Sequence, residues 1–338
     1  MLDPDRYLER LYENTRKKYS FNRYNEWASW REDLKEAFIE KLGGFPEEKT
    51  ELSARLIDET SLEDHIRQKI VILTDVDLEM NSYILIPKKG CRPFPAVVAC
   101  HGHGCYGGID LIGLDPGGIQ KTGDPGYQDD FALKLVKRGF LVIVPDILGF
   151  GERRLKEDEN EDPGKSSCHH MATYMLMLGK TLVGARVYDI IRAIDYLCTR
   201  DDVDPGRIGC MGISGGGMVC GFTSAIDERI KAAVVSGYTN IFKHSIMSVF
   251  HCVCNFVPGL LEISEMPDIL GMIAPRALLI QSGTKDPIFP INGTLHAYDK
   301  IRDIYMQLGE EEKIGKDIFE AGHCVYGENA YSWFEKWL

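Results

Sequence analysis

The sequence predicts an α/β protein with about eight strands in a mostly parallel sheet, helices on both faces, and a helical arm at the N-terminus. Three observations point there. From Phe94 onward short apolar runs alternate with segments of helical period. Before them, two strand-like runs are separated by a tight turn, as in a hairpin. Finally, 338 residues with 44% hydrophobic and 27% charged side chains suffice for one large core.

Taken in order, Trp27, Trp30, Leu34, Phe38 and Leu42 recur at three- and four-residue steps, and Gly43-Gly44 then supplies a stop. This predicts an amphipathic helix in an arm and linker over 1–66, docked on a main domain over 67–338. Arg67 to Leu73 and Leu78 to Ile86 form the expected hairpin across an Asp-containing turn. The remaining strands are expected at Ala96 to Cys100, Phe140 to Pro145, Arg207 to Met211, Ala232 to Ser236, Ala277 to Ser282 and Lys316 to Phe319. Val183, Val187, Ile190, Ile191, Ile194 and Leu197 mark one apolar helix face, and Leu295, Tyr298, Ile301 and Tyr305 another. Three stretches exceed simple connections: 105–128, 149–180 and 238–267. Long insertions in compact domains are usually functional loops or lids. The acidic run from Glu157 to Asp162 reads as a solvated face.

Composition excludes several classes. A net charge of -12 argues against a nucleic-acid groove, which needs clustered Lys and Arg. No apolar run approaches the roughly 18 residues a spanning helix requires. The N-terminal stretch is charged from its third residue and has no signal-like apolar region, so a cytoplasmic location is expected. Ten dispersed cysteines suit free thiols in a reducing compartment. Nothing in the sequence fixes the oligomeric state, and a homo-oligomer is compatible with it.

The strongest local signal is RIGCMGISGGGM, where Gly212, Ser214 and Gly216 form G-x-S-x-G between an expected strand and an expected helix. A nucleophile elbow needs that context: the turn is too sharp for bulky neighbours and lifts the serine hydroxyl above the sheet. Helix N-terminal amides there favour developing negative charge. A serine hydroxyl needs a base, and the base needs a group to fix its tautomer. Both are expected downstream in the order Ser, acid, His. Asp286 follows the run ALLIQSG, and His323 follows IFEAG one strand later. Alone, Asp286 reads equally as a turn former and His323 as a loop histidine; the elbow and the order make them partners. Asp146, Glu152 and Glu320 are the competing carboxylates, with Asp146 the first substitute.

Two donors are expected for an oxyanion: the N–H of Gly215 and one from the His101-Gly102-His103-Gly104 turn after PAVVAC. The backbone N–H of His103 is the chosen candidate, with Gly104 and the Tyr106 hydroxyl open. A zinc site at His101 and His103, with His169 and His170, is disfavoured because no carboxylate or cysteine accompanies them at ligand spacing, so no metal is expected. Cys324 reads as packing.

With these motifs and the terminal GHCVYGENAYSWFEKWL, the chain from about Tyr83 onward resembles the acetyl xylan esterase-like and dienelactone hydrolase-like bacterial enzymes of the α/β-hydrolase fold. PAVVACHGHG, VPDILGFGERR, LVGARVYDIIRAIDYL and SGTKDPIFP carry the likeness. The resemblance implies a Ser-His-Asp serine esterase without a cofactor, acting on small-molecule short-acyl esters, acetylated sugars among them. The elbow carries Ser, which excludes the cysteine nucleophile of dienelactone hydrolases. A prolyl oligopeptidase-like peptidase and a non-catalytic ligand-binding relative are the alternatives.

Overall fold

The computed structural model describes residues 3–21, 26–104 and 106–338. Residues 1–2 and 22–25 of the arm, and Cys105, where the first insertion begins, lie outside them. Strands β1 (Arg55–Ser61), β2 (His65–Asp75) and β3 (Leu78–Pro87) run antiparallel to one another. Strands β4 (Phe94–Cys100), β5 (Leu141–Pro145), β6 (Val203–Ile213), β7 (Ile230–Ser236), β8 (Ala277–Gly283) and β9 (Ile314–Phe319) form a parallel array. All nine join one sheet in the order β1-β2-β3-β5-β4-β6-β7-β8-β9, with β3 antiparallel to β5.

The expected count of about eight falls one short, and the missing strand is β1. Its sequence, RLIDETS, is exposed at every position but one and does not alternate apolar with polar residues, so periodicity gives no strand signal. It is recruited from within the stretch read as arm and linker by pairing with β2, across a bulge between Leu56 and Asp58. The hairpin forms as expected, and Asp77 takes the left-handed conformation in its turn (φ 59).

Each face of the sheet carries its own apolar layer, because successive strand side chains point to opposite sides. Val98, Cys100 and Ile143 pack on one face with α2 (Trp27–Lys41), α5 (Leu182–Thr199), α6 (Gly215–Ile226), α8 (Met266–Gly271) and α9 (Ile291–Gln307). Val97, Ala99, Val142 and Val144 pack on the other with α3 (Phe131–Lys137) and α10 (Gly327–Trp337). Helix α1 (Pro4–Asn14) buries nothing. In contrast α2 buries Trp30, Leu34 and Phe38, each contributing about 1.5–3 kcal/mol of hydrophobic stabilisation. Gly43 and Gly44 end it at positive φ (100 and 71), and Thr181 Oγ1 donates to Leu42 O at 2.6 Å, fastening the arm to the start of α5.

Of the three insertions, the first holds a short 3-10 turn at Gly108–Ile112. The second holds α4 (Cys168–Met177), and the third holds α7 (Leu260–Ile263) and the start of α8. No described helix is long and apolar enough to cross a membrane.

Candidate active site

Strand β6 runs into α6 through Ser214, whose backbone sits at φ 57, ψ -125, a strained region for any residue with a Cβ. The flanking glycines are required. A Cβ on Gly212 would collide with the backbone of Gly216, and one on Gly216 with the carbonyls of Cys100 and His101. Ser214 N donates to Ser236 O at 3.0 Å, which anchors the bend to the end of β7. Gly215 is the first residue of α6, so its N–H is among those without an intrahelical acceptor.

Asp286 follows β8 and His323 follows β9, at the carboxyl edge of the sheet, where the elbow also lies. Asp286 Oδ2 is 2.6 Å from His323 Nδ1. The other carboxylate oxygen accepts the amides of Ile288 and Phe289 at 2.8 and 3.0 Å, so the acid cannot rotate away. The imidazole lies between the near-parallel rings of Tyr127 and Phe289, each with its centroid 5.8 Å away. A Cβ on Gly237, next to Ser236, would meet His323 Cε1 at 3.0 Å. Ser214 and His323 thus both flank the end of β7. His323 Nε2 is buried and has no hydrogen-bond partner among the described residues, Ser214 Oγ included.

The turn after β4 runs beside the elbow because β4 and β6 pair directly, with Cys100 opposite Gly212. A Cβ on Gly102 would meet Ser214 Cβ at 3.3 Å. Gly102 N donates to Gln128 Oε1 at 2.7 Å, and Tyr127 Oη donates to His103 O at 2.5 Å. The same Tyr127 therefore holds both the turn and the imidazole. His101 is buried; burial lowers its pKa, and Nε2 accepts Ile147 N at 3.0 Å, so this ring is a structural acceptor. The His103 ring instead packs over Gly215, where a Cβ would lie 2.5 Å from Nδ1.

The competing carboxylates lie elsewhere. Asp146 is buried and accepts from Asn81 Nδ2 (2.6 Å), Gly108 N (2.5 Å) and Glu152 N (3.2 Å), tying β3 to the loops after β4 and β5. Glu152 pairs with Lys69 and Glu320 with Lys285. The Tyr106 side chain borders Gly164 and a polar cavity with Lys69 and Asp146, and Tyr106 N donates to Asp110 Oδ2.

Sequence reasoning missed Tyr127, Phe289 and His251, and a group of three cysteines. Tyr127 lies in no motif, and Phe289 lies in SGTKDPIFP but carries no chemical signal of its own. His251 lies in the third insertion, its ring 6.2 Å from that of Phe289; burial, with His103 and His323 nearby, pushes its pKa down to about 4. The expectation that no cysteine accompanies His103 is also corrected: Cys168, Cys252 and Cys254 surround its Nε2. Spacing along the chain could not reveal this, since the ligand-type atoms come from three separate loops. His101, His169 and His170 are not in the group; His170 instead contacts Glu157 at 2.6 Å.

Comparison with known proteins places this architecture. The Bacillus subtilis (strain 168) protein named "Putative hydrolase YtaP" is 28% identical over 319 residues, spanning 91% of this chain and 100% of that one. Among solved structures, a "putative acetyl xylan esterase (BF1801)" from Bacteroides fragilis NCTC 9343 superposes with a TM-score of 0.80 at 18% identity, covering 99% of this chain and 90% of the other. A glucuronoyl esterase from Solibacter usitatus gives a TM-score of 0.70 at 15% identity, over 95% and 97%. The model of the Abhydrolase family matches residues 6–300, and the chain belongs to that family.

Proposed function

We propose that this protein hydrolyses carboxylic esters through an acyl-enzyme on Ser214, with His323 as base and Asp286 orienting it. The observation that carries the reading is the 2.6 Å Asp286–His323 pair, with its outward nitrogen unpartnered, at the end of β7 next to the strained Ser214 bend. Ser214 Oγ attacks the ester carbonyl and its proton passes to His323 Nε2. The N–H groups of Gly215 and His103 receive the negative charge that develops on the carbonyl oxygen. Collapse expels the alcohol, which takes the proton from Nε2. Water then repeats the sequence on the acyl-enzyme and releases the acid.

The substrates we assign are small sugar esters with short acyl groups. Ser214 is 8% exposed and the His323 side chain 15%, so an acyl group must enter a narrow hollow. The likeness to structures named as acetyl xylan esterases supports a sugar on the alcohol side, whereas a glucuronoyl ester carries its sugar on the acid side. We also assign the protein to the cytoplasm, because every described cysteine is free, as in a reducing compartment.

Replacing Ser214 by Ala should lower turnover of short acyl nitrophenyl esters on the order of 10⁴-fold or more and abolish labelling by a fluorophosphonate. Full activity in Ser214→Ala would end the proposal. Comparing acetylated sugars with aminoacyl-nitroanilides then separates an esterase from a peptidase.

A further inference from the structure

We propose that His103 Nε2 and the sulfurs of Cys168, Cys252 and Cys254 form a closed tetrahedral site for a divalent zinc ion beside the Ser214 elbow. The four atoms all lie within 4.8 Å of one another. His103 Nε2 is 2.9 Å from Cys254 Sγ and 3.9 Å from Cys168 Sγ. Zinc bonded at about 2.3 Å to sulfur and 2.0 Å to nitrogen spaces its ligands about 3.5–3.8 Å apart, within the spread seen here. Three cysteines and one histidine make a complete structural zinc set, with no position left for water or substrate.

Ordinary packing does not account for the group. Cys100 and Cys210 show what packing looks like: their sulfurs are 3.9 Å apart in the core, among apolar side chains. Cys168 and Cys254 lie in the same apolar layer but also meet the His103 ring, and Cys168 meets a buried cation. Arg186 is 1% exposed; Nε and Nη2 donate to Leu148 O at 2.9 and 2.7 Å, and Nη2 reaches Cys168 Sγ at 3.0 Å. Among the described residues no carboxylate forms an ion pair with it. A buried guanidinium without a counter-charge is expensive, so thiolate sulfur is the available anion. Three thiolates and one divalent ion leave a net charge of minus one, which Arg186 cancels.

Coordination through Nε2 also fixes the tautomer, leaving the proton on Nδ1, the edge packed against Gly215. The ion would tie three segments together: the turn after β4, the start of α4 and the third insertion. It would thereby hold in place the turn whose amide we assign to the oxyanion.

The test uses the full chain, purified without a metal-binding tag under reducing conditions, and none of its readouts is ester turnover. About one zinc per chain is expected by elemental analysis. After chelation, added Co(II) should give intense visible bands and a near-ultraviolet thiolate charge-transfer band. Cys252→Ser should weaken that band and lower zinc affinity about 10-fold or more, whereas Cys198→Ser, at an exposed position, should leave both unchanged. Zinc should protect the three cysteines of the wild-type chain from alkylation, a readout that needs no variant to fold. The proposal is overturned if the wild-type chain binds neither ion with thiolate bands. It is also overturned if the three cysteines alkylate at the same rate with and without zinc, or if mass analysis finds a disulfide among them.

Discussion

The Ser214 bend and the third insertion both meet the His103 ring, yet they are held in opposite ways. The bend is fixed by backbone: two adjacent strands, a helix start, and glycines whose missing Cβ atoms let carbonyls approach. The insertion over 238–267 is held by side chains, through the buried Tyr238, Phe242, Ile246 and Leu260 and the hydrogen bonds of Asn240 and Glu265, and it leaves Phe250 and Met247 exposed. Backbone-held geometry leaves a short, contiguous signature in the sequence, while a side-chain tether leaves only scattered residues. The first kind sets chemistry; the second is free to vary with substrate.

The harshest way to break this contrast is Gly216→Ala. Its Cβ meets two carbonyls that cannot move without disturbing β4, so a loss on the order of 3 kcal/mol in stability is expected by denaturant titration, with esterase activity lost as well. A variant of unchanged stability would mean that the bend is softer than its glycines imply. Next, removing zinc should speed proteolytic cleavage within 242–257 about 10-fold or more, while hydrogen exchange in β4 and β6 stays slow. Equal loosening of both regions would erase the distinction. The smallest effect is expected for Tyr127→Phe, which removes the hydroxyl bonded to His103 O but keeps the ring against His323. A drop of roughly 10-fold in kcat with little change in KM corresponds to one such hydrogen bond. A change in KM alone would place Tyr127 in substrate binding instead.

The same contrast explains what was legible. The parallel strands from β4 to β8 announce themselves because, being covered on both faces, they read as apolar runs with sharp ends, while the edge strand β9, IGKDIF, shows only a short apolar end. Ser214, Asp286 and His323 follow the carboxyl ends of β6, β8 and β9 within a few residues, so topology alone brings them to one edge of the sheet. Strand β1 hides because an outer strand with both faces near solvent has no apolar stripe to display. The cysteine group hides for another reason: Cys168 lies 65 residues from His103, and Cys254 lies 151 from it, and no periodicity encodes their meeting. His251 likewise carries no local pattern, and only the path of the insertion brings it near Phe289.

One feature of the sheet reaches beyond the present substrate. Because Cys100 and Gly212 are register partners, the two peptide segments we assign to the oxyanion start from the two ends of one rung, on strands about 4.8 Å apart. That interval belongs to hydrogen bonding and is indifferent to which loops grow above it. Lineages built on this plan can therefore lengthen, shorten or exchange their coverings, and with them their diet, while the reacting centre keeps its calibration.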